Sequence, residues 1–387
     1  MMVGEQFLLL PGPTPVPERV MRAMSKPVIN HRGPEFKKIL YEVTEGVKTI
    51  YRTRYNVLIY PASGTGGLEA AVVNFISPGD TVLAISIGVF GDRFAQIAAE
   101  FGAKVQKVDF PWGQAADPEV IREKIAKDVN QEIKAILVTQ NETSTGVCND
   151  IKKIREAVGD HPALFMVDAV SGLAAAELYM DDWNLDVVVS GSQKAFMIPP
   201  GLSFMAFNDK ALQTADNNRN HKFYWDVRTG LDYLEKGQNP FTPPVSLYYG
   251  LHEALQMMLE EGLENIFKRH ANYRYMVREA IKEMGLKLLA KDENASPALT
   301  SVIAPEGIGA NRVRQLMQDE FNIILAGGQQ RLNDVIFRIG HLGYVRELDL
   351  LSVLTALEIV LIKLGYLVEP GKGIKKAQKI LLEMHSN

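Results

Sequence analysis

Asp186-Val-Val-Val-Ser-Gly-Ser-Gln-Lys-Ala-Phe-Met-Ile-Pro-Pro-Gly201 is the stretch on which the fold is read. It opens as a short apolar strand, Val187 to Val189, and breaks at Ser190-Gly191-Ser192. It then sets one lysine, Lys194, in a run with no other charge as far as Gly201. Burying an amine is costly, so this placement needs a reason. A desolvated amine has a lowered pKa and can attack a carbonyl carbon. The alternative is a lysine that snorkels to water from a loop after the strand. The residues it keeps company with elsewhere in the chain separate the two.

Outward from this stretch, short apolar segments alternate with amphipathic ones. Strands are expected at 57–60, 81–86, 104–108, 135–139, 163–167, 187–190 and 202–207, with helices at 66–76, 92–101, 118–127 and 151–158 between them. Strands joined by helical crossovers make a mainly parallel sheet covered by helices on both faces. Ligands of such sheets sit at the carboxyl ends of the strands. The fold class is therefore α/β, with a seven-stranded sheet in a large domain and a smaller C-terminal α/β domain. Leu8 to Pro17 reads as an extended, proline-rich arm that gains order only by packing on something else. Short helices follow at 17–24 and from His31 to about Tyr51. After Pro243-Pro244 one long helical stretch is expected to about Met284, with Leu247, Leu251, Leu255, Met258 and Leu259 at core spacing. The second unit has strands at 300–304 and 335–339 and helices at 312–320 and 348–364. Lys372, Lys375, Lys376 and Lys379 read as a solvated helix face. The division is an arm at 1–20, a large domain at 21–265 and a small one at 266–387.

With 387 residues, 47% hydrophobic and 23% charged, the chain can bury more than one core. A net charge of -4 offers no basic surface to nucleic acid or to an anionic membrane. The one cysteine, Cys148, excludes an intramolecular disulfide and suits a reducing compartment. No run is long and apolar enough to span a bilayer. Phe7-Leu8-Leu9-Leu10, preceded by Glu5 and ended by Pro11-Gly12-Pro13, is too short for the apolar core of a secretory leader. A cytoplasmic protein is expected. The seven histidines fall in no metal-binding spacing, and no metal is expected.

The expected strand ends carry the chemistry. Ser63-Gly64-Thr65-Gly66-Gly67 follows the first strand and opens a helix, where small residues let backbone amides approach a phosphate. It lacks the lysine of a P-loop and the three-glycine spacing of a dinucleotide fingerprint, and a plain tight turn has the same composition. Phe90, after the second strand, can stack on a flat ring or fill core. In the hydroxyl-rich run Asn141-Glu142-Thr143-Ser144-Thr145-Gly146, Thr143 can bond a ring oxygen, while Ser144 and Thr145 read as turn and cap residues. Asp168 closes the hydrophobic strand 163–167, where a carboxylate must find a partner. That partner is either the next turn or a protonated pyridine nitrogen, which the carboxylate keeps protonated so that the ring is an electron sink. Arg338, at the end of an apolar strand in the small unit, offers its planar fork to a carboxylate, from a substrate or from an interdomain acid. A lysine for an aldehyde, an acid for a pyridine nitrogen, a phosphate turn and an aromatic face together describe a site for pyridoxal 5'-phosphate (PLP).

Asp168-Ala-Val170 followed by Ser190-Gly-Ser-Gln-Lys194 resembles the class V, fold-type I PLP-dependent aminotransferases, and more narrowly the alanine–glyoxylate and serine–glyoxylate (serine–pyruvate) group. The likeness runs from Leu8-Leu-Leu-Pro-Gly-Pro-Thr14 through Thr242-Pro-Pro-Val245 and Glu261-Gly-Leu-Glu-Asn265 to Arg338-Ile-Gly340. The resemblance implies Lys194 as the Schiff-base lysine and Asp168 as the partner of the ring nitrogen. It implies Phe90 stacked on the ring where relatives often have Trp, Val170 on the other face and Thr143 near the ring hydroxyl. Ser63, Gly64, Thr65 and Gln193 are implied as phosphate contacts, and Arg338 as the holder of the substrate carboxylate. A homodimer with shared sites is implied too, Thr242 reaching the phosphate of the neighbouring subunit. Gln140 stands where relatives often have His, and Asn239 where some place a Tyr near the phosphate.

The implied reaction is a ping-pong transfer of an amino group from a small amino acid, alanine or serine, to the 2-oxo acid glyoxylate or pyruvate. Arg338 fixes an α-carboxylate but cannot sense the side chain. An acidic donor needs a second cation. None is expected near the carboxyl edge of the sheet, and Arg32 has no assigned place. Aspartate or ureidoglycine as donor is the alternative on the same scaffold. A cysteine desulfurase needs a nucleophilic cysteine on a mobile loop late in the chain, whereas Cys148 sits just past the 143–146 loop. A non-catalytic PLP-fold protein has no need of the intact Lys194, Asp168 and Arg338.

Overall fold

Apolar residues that alternate between two faces need cover on both, and the chain supplies it. In a computed structural model, which describes residues 6–386, strand β1 (Phe7–Leu9) and helices α1 (Glu18–Met24) and α2 (Pro34–Tyr51) come first. Residues 1–5 of the expected arm lie outside the described residues. Alternation then sets in: β2 (Asn56–Tyr60), α3 (Gly64–Phe75), β3 (Thr81–Ser86), α4 (Val89–Glu100), β4 (Lys104–Asp109), α5 (Pro118–Ala126) and β5 (Ile133–Thr139). A small hairpin, β6 (Asn141–Glu142) and β7 (Val147–Cys148), leads to α6 (Ile151–Val158), β8 (Leu164–Asp168), β9 (Val187–Gly191) and β10 (Ser203–Phe207). Helices α7 (Asp209–Asp216), α8 (Val227–Glu235), α9 (Val245–Glu261) and α10 (Leu263–Glu283) follow. The last part holds β11 (Lys287–Leu288), β12 (Leu299–Ile303), α11 (Ala310–Phe321), β13 (Ile323–Gly327), β14 (Ile336–Gly340), α12 (Glu347–Lys363) and α13 (Lys372–His385).

The large sheet has seven strands in the order β2-β10-β9-β8-β5-β3-β4. Only β10 runs against its neighbours, while β3, β4, β5, β8 and β9 pair in parallel. The central strands are buried throughout, which is why they read as unbroken apolar runs. Leu58, Leu137, Met166 and Val189 point into one core and Val57, Ile136, Val167 and Val188 into the other. The edge strand β4 carries Lys104, Gln106, Lys107 and Asp109 exposed and keeps only Val105 and Val108 half-buried. Thr139 pairs with Asp168, and Asp168 with Val189, so the ends of the three central strands are in register.

The second sheet, β1-β13-β14-β12-β11, holds the small core. Three departures from expectation bear on the site. The arm contributes a strand, β1, parallel to β13, so it packs on the small sheet of its own chain. The long helical stretch is two helices, parted at Gly262, whose φ of 82° ends α9. Helix α4 starts at Val89 rather than Asp92, which puts Phe90 in its first turn. Beyond β1 the arm crosses the end of β14 at Gly340. A Cβ there would lie 2.3 Å from the Leu10 carbonyl carbon and oxygen, so only glycine admits this crossing. The expected lysine face is present on α13, which buries Ala377, Ile380 and Leu381 and turns Lys372, Lys375 and Lys379 outward.

Candidate active site

The register places an acid and an amine at neighbouring strand ends. Asp168 is the last residue of β8 and is buried; its Oδ1 accepts a hydrogen bond from the Val170 N–H at 2.9 Å. Burial pushes its pKa up to about 7, against the pull of that N–H and of the Lys194 charge. Lys194 follows β9 by three residues. Burial brings its amine down to about 8, with Asp168 opposing the shift. Lys194 keeps part of its surface open, but its amine does not snorkel: Nζ donates to the Pro11 carbonyl at 2.6 Å. Gly12, at φ 122°, makes room for this contact, since a Cβ there would stand 2.6 Å from Nζ. Thr14 ties the arm to the same loop, through its N–H to Gln193 O at 3.2 Å and its hydroxyl to Lys194 O at 3.1 Å.

Ser63 caps α3, its hydroxyl accepting from the Gly66 N–H at 3.4 Å. Gly64 sits under Val170, and a Cβ on it would meet Val170 Cγ2 at 2.7 Å. A Cβ on Gly191 would lie 3.2 Å from Gln193 Oε1 and 3.6 Å from Gly64 N, which brings Gln193 to the start of α3. Gln193 Oε1 is buried without a hydrogen-bond partner. Thr65 accepts from Arg93 Nη1 at 3.4 Å. Arg93 itself stands over the Phe90 ring, 4.8 Å from its centroid. Sequence reasoning expected no second arginine at the carboxyl edge of the sheet; Arg93 is one. The signal was its position three residues after Phe90, the spacing of one helix face.

Sequence reasoning also passed over Glu142. This buried carboxylate accepts from the Phe90 and Gly91 N–H groups at 3.0 and 3.1 Å, and from the Ser144 N–H and hydroxyl at 3.0 and 2.6 Å. It caps α4 from another loop and so sets where Phe90 stands. Ser144 does more than turn duty, since its oxygen also accepts from the Val89 N–H at 3.0 Å. Thr143 and Ser171 share a hydrogen bond of 2.7 Å. Gln140 bonds Glu177 O through its amide nitrogen and leaves Oε1 unpartnered.

Arg338, in β14, crosses from the small sheet to this loop. Its Nη1 donates to Thr143 O at 2.7 Å and its Nε to Gly327 O at 2.9 Å. It is 6% exposed, and among the described residues no carboxylate comes within salt-bridge distance of it. Burial lowers its pKa to about 10, with the Glu142 charge opposing. The expected alternative of an interdomain ion pair is therefore replaced by an interdomain hydrogen bond, and the guanidinium keeps an uncompensated charge.

Thr242 is not brought to this cluster within one chain; it is exposed. Arg32 holds the segment before it, donating to Gln238 Oε1 at 2.8 Å, Asn239 O at 2.7 Å and Pro240 O at 3.2 Å. Asn239 bonds the Tyr248 hydroxyl at 2.9 Å. Arg32 is thus spent on a loop and has no free fork for a ligand.

The residues present fit PLP. Its pyridine nitrogen suits the buried Asp168, its aldehyde the lowered amine of Lys194, and its phosphate the backbone N–H groups at the start of α3. Burial pushes the Cys148 thiol up to about 12.

The chain matches the aminotransferase class-V family over residues 6–346. A protein of Anabaena cylindrica named soluble hydrogenase 42 kDa subunit is 44% identical over 97% of this chain and 98% of its own. The serine–glyoxylate aminotransferase of Methylorubrum extorquens is 38% identical over 98% and 97%. The L-aspartate–glyoxylate aminotransferase of Paracoccus denitrificans is 37% identical over 98% and 96%. Among solved structures, a ureidoglycine–glyoxylate aminotransferase from Bacillus subtilis superposes with a TM-score of 0.94 at 32% identity, covering 100% of both chains. Cys148 is the one cysteine, and among the described residues no group of three or more His, Cys, Asp or Glu side chains is placed to hold a metal ion.

Lys194 should show its lowered pKa directly. In the cofactor-free protein, labelling by trinitrobenzenesulfonate, mapped by peptide, should rise with pH and level off near pH 8 for Lys194, while surface lysines continue to gain toward their ordinary value of about 10.4. In Asp168→Asn the plateau should begin at lower pH, because the Asp168 charge favours the ammonium form. A Lys194 profile that tracks the surface lysines contradicts the assignment.

Proposed function

The chain belongs to the class-V aminotransferase family, whose chemistry depends on PLP, and from that premise we propose that it transfers the amino group of alanine or serine to glyoxylate or pyruvate. The observation that carries the reading is Arg338, a buried guanidinium without a carboxylate, reaching from the small domain to the loop beside the Lys194–Asp168 pair. When bound, PLP supplies the electron sink that makes the substrate's Cα proton removable. Asp168 holds the proton on the ring nitrogen. Arg338 receives the α-carboxylate bidentately and turns the Cα toward Lys194. With the cofactor bound, the Lys194 amine would take the proton from the substrate's Cα and act as its carrier. The same groups serve the donor and the acceptor in turn, which makes the reaction ping-pong. Phe90 and Val170 are assigned to the two ring faces, Thr143 to the ring hydroxyl, and Ser63, Gly64, Thr65 and Gln193 to the phosphate.

Donor choice follows from charge. Aspartate carries a second carboxylate that is costly to bury unpaired. Arg32 is held by the 238–240 segment, and Arg93 lies against Thr65 on the phosphate turn. That distribution favours small neutral side chains, although relatives named for aspartate and ureidoglycine share the scaffold. Adding alanine, serine, glycine, aspartate, glutamate or ureidoglycine singly to the holoprotein should change the visible spectrum fastest with alanine or serine. Rapid change with aspartate and none with alanine or serine refutes the donor assignment. Arg338→Ala should lower kcat/KM for every donor alike, by roughly 100-fold for the loss of a charge-assisted pair.

We further assign a cytoplasmic homodimer with shared sites. Thr242 is exposed in one chain and sits on a loop fixed by Arg32, as a residue meant for a neighbour's site would be; twofold pairs are also the commonest assembly. Among the described residues no helix is long and apolar enough to cross a membrane. Mixing Lys194→Ala with Thr242→Ala subunits should restore a fraction of wild-type-like sites. Mixtures no more active than their parts refute sharing.

A further inference from the structure

We propose that Arg93 is the cation this chain supplies to the cofactor's phosphate, so that it serves the phosphate end of the site and not the side chain of the amino donor. The inference rests on the PLP reading above and goes beyond it, because nothing in that reading provides a positive charge for the phosphate.

Arg93 and Phe90 lie three residues apart on α4 and share a face. The guanidinium carbon is 4.8 Å from the Phe90 ring centroid, and Nη1 is 3.4 Å from Thr65 Oγ1. Thr65 is the second residue of α3, one step past the residue whose N–H opens the phosphate turn. Arg93 therefore bridges the aromatic assigned to the ring and the turn assigned to the phosphate. Its position is imposed rather than chosen by a long side chain, since Glu142 fixes the first turn of α4 through the Phe90 and Gly91 N–H groups.

Its charge is uncompensated. Among the described residues no carboxylate lies within salt-bridge distance of Arg93. The adjacent acid, Asp92, is taken by Lys107 at 2.6 Å and by the Ser86 hydroxyl at 2.6 Å. The Arg93 charge is nonetheless felt at both Asp168 and Lys194, whose pKa values it draws down. The other arginines have other places: Arg338 reaches Thr143 and Gly327 and is assigned to the substrate carboxylate, and Arg32 holds the 238–240 segment. A phosphate monoester brings about −1.5 to −2 charges. The start of α3 offers only about half a positive charge, and Ser63, Thr65 and Gln193 offer none. A guanidinium with a planar fork completes the balance.

The test strips the cofactor and titrates wild type, Arg93→Gln and Arg93→Lys with PLP and, separately, with pyridoxal, which has the same ring and aldehyde but no phosphate. Circular dichroism checks that each variant is folded. Arg93→Gln should weaken PLP by roughly 10- to 100-fold, the scale of one charge-assisted contact, and leave pyridoxal within about twofold. Arg93→Lys should recover part of the loss. The ratio of alanine to aspartate conversion should stay as in wild type. Equal losses for PLP and pyridoxal, or no loss for either, overturn the proposal, and so does an Arg93→Gln enzyme that loses aspartate conversion selectively. Failure of wild type to bind PLP at all would instead strike the PLP reading itself.

Discussion

Burying a carboxyl and an amine at the ends of neighbouring strands is the constraint on which the rest of this structure turns. Both groups are pushed toward neutrality by burial: Asp168 up to about 7 and Lys194 down to about 8. The signs of the two contributions to stability are opposite in pH. A raised carboxyl stabilises the fold below its ordinary value, and that contribution is lost as pH rises through about 7. A lowered amine stabilises it above its ordinary value, and that contribution is lost as pH falls through about 8. Near neutral pH the cofactor-free chain therefore carries both at their least favourable. A ligand that offers Asp168 a cation and Lys194 a covalent partner relieves both, and binding then adds to stability by linkage.

The surrounding polar groups make that strain tolerable and give it direction. Glu142 gathers the N–H groups of the Phe90 turn and the Ser144 loop into one unit, so that an aromatic ring and Thr143 move together. Thr143 in turn accepts from Arg338. One loop thus links the Phe90 turn to Arg338 of the small sheet. The arm closes the other side, with Pro11 against Lys194 and Leu10 against Gly340. The arm meets the lysine loop largely through backbone atoms, Pro11 O taking the Lys194 amine and Gln193 O the Thr14 N–H.

How much of this was legible depended on the range of the forces involved. The central strands were readable because burial on both faces leaves an unbroken apolar run, and Lys194 and Asp168 because a charge beside such a run needs a partner. The start of α4 was misplaced because its cap, Glu142, comes from another loop. Strand β1 was missed because three residues of a proline-rich arm become a strand only by pairing with β13, far along the chain. Arg32 could not be placed because its partners lie more than 200 residues away in sequence. Arg93 was not singled out, because its neighbours come from the first turn of α4 and from the start of α3. Only the folded chain brings it to the start of α3. Thr242 stays exposed in the single chain.

The central claim is that Lys194 holds the cofactor while Asp168 faces its ring. The most direct measurement is reduction of the yellow holoprotein with borohydride, followed by peptide mapping. The account predicts stable label on the peptide containing Lys194, and none in Lys194→Ala even when that variant is folded and supplied with PLP. Label on any other lysine, or undiminished labelling of Lys194→Ala, would contradict it.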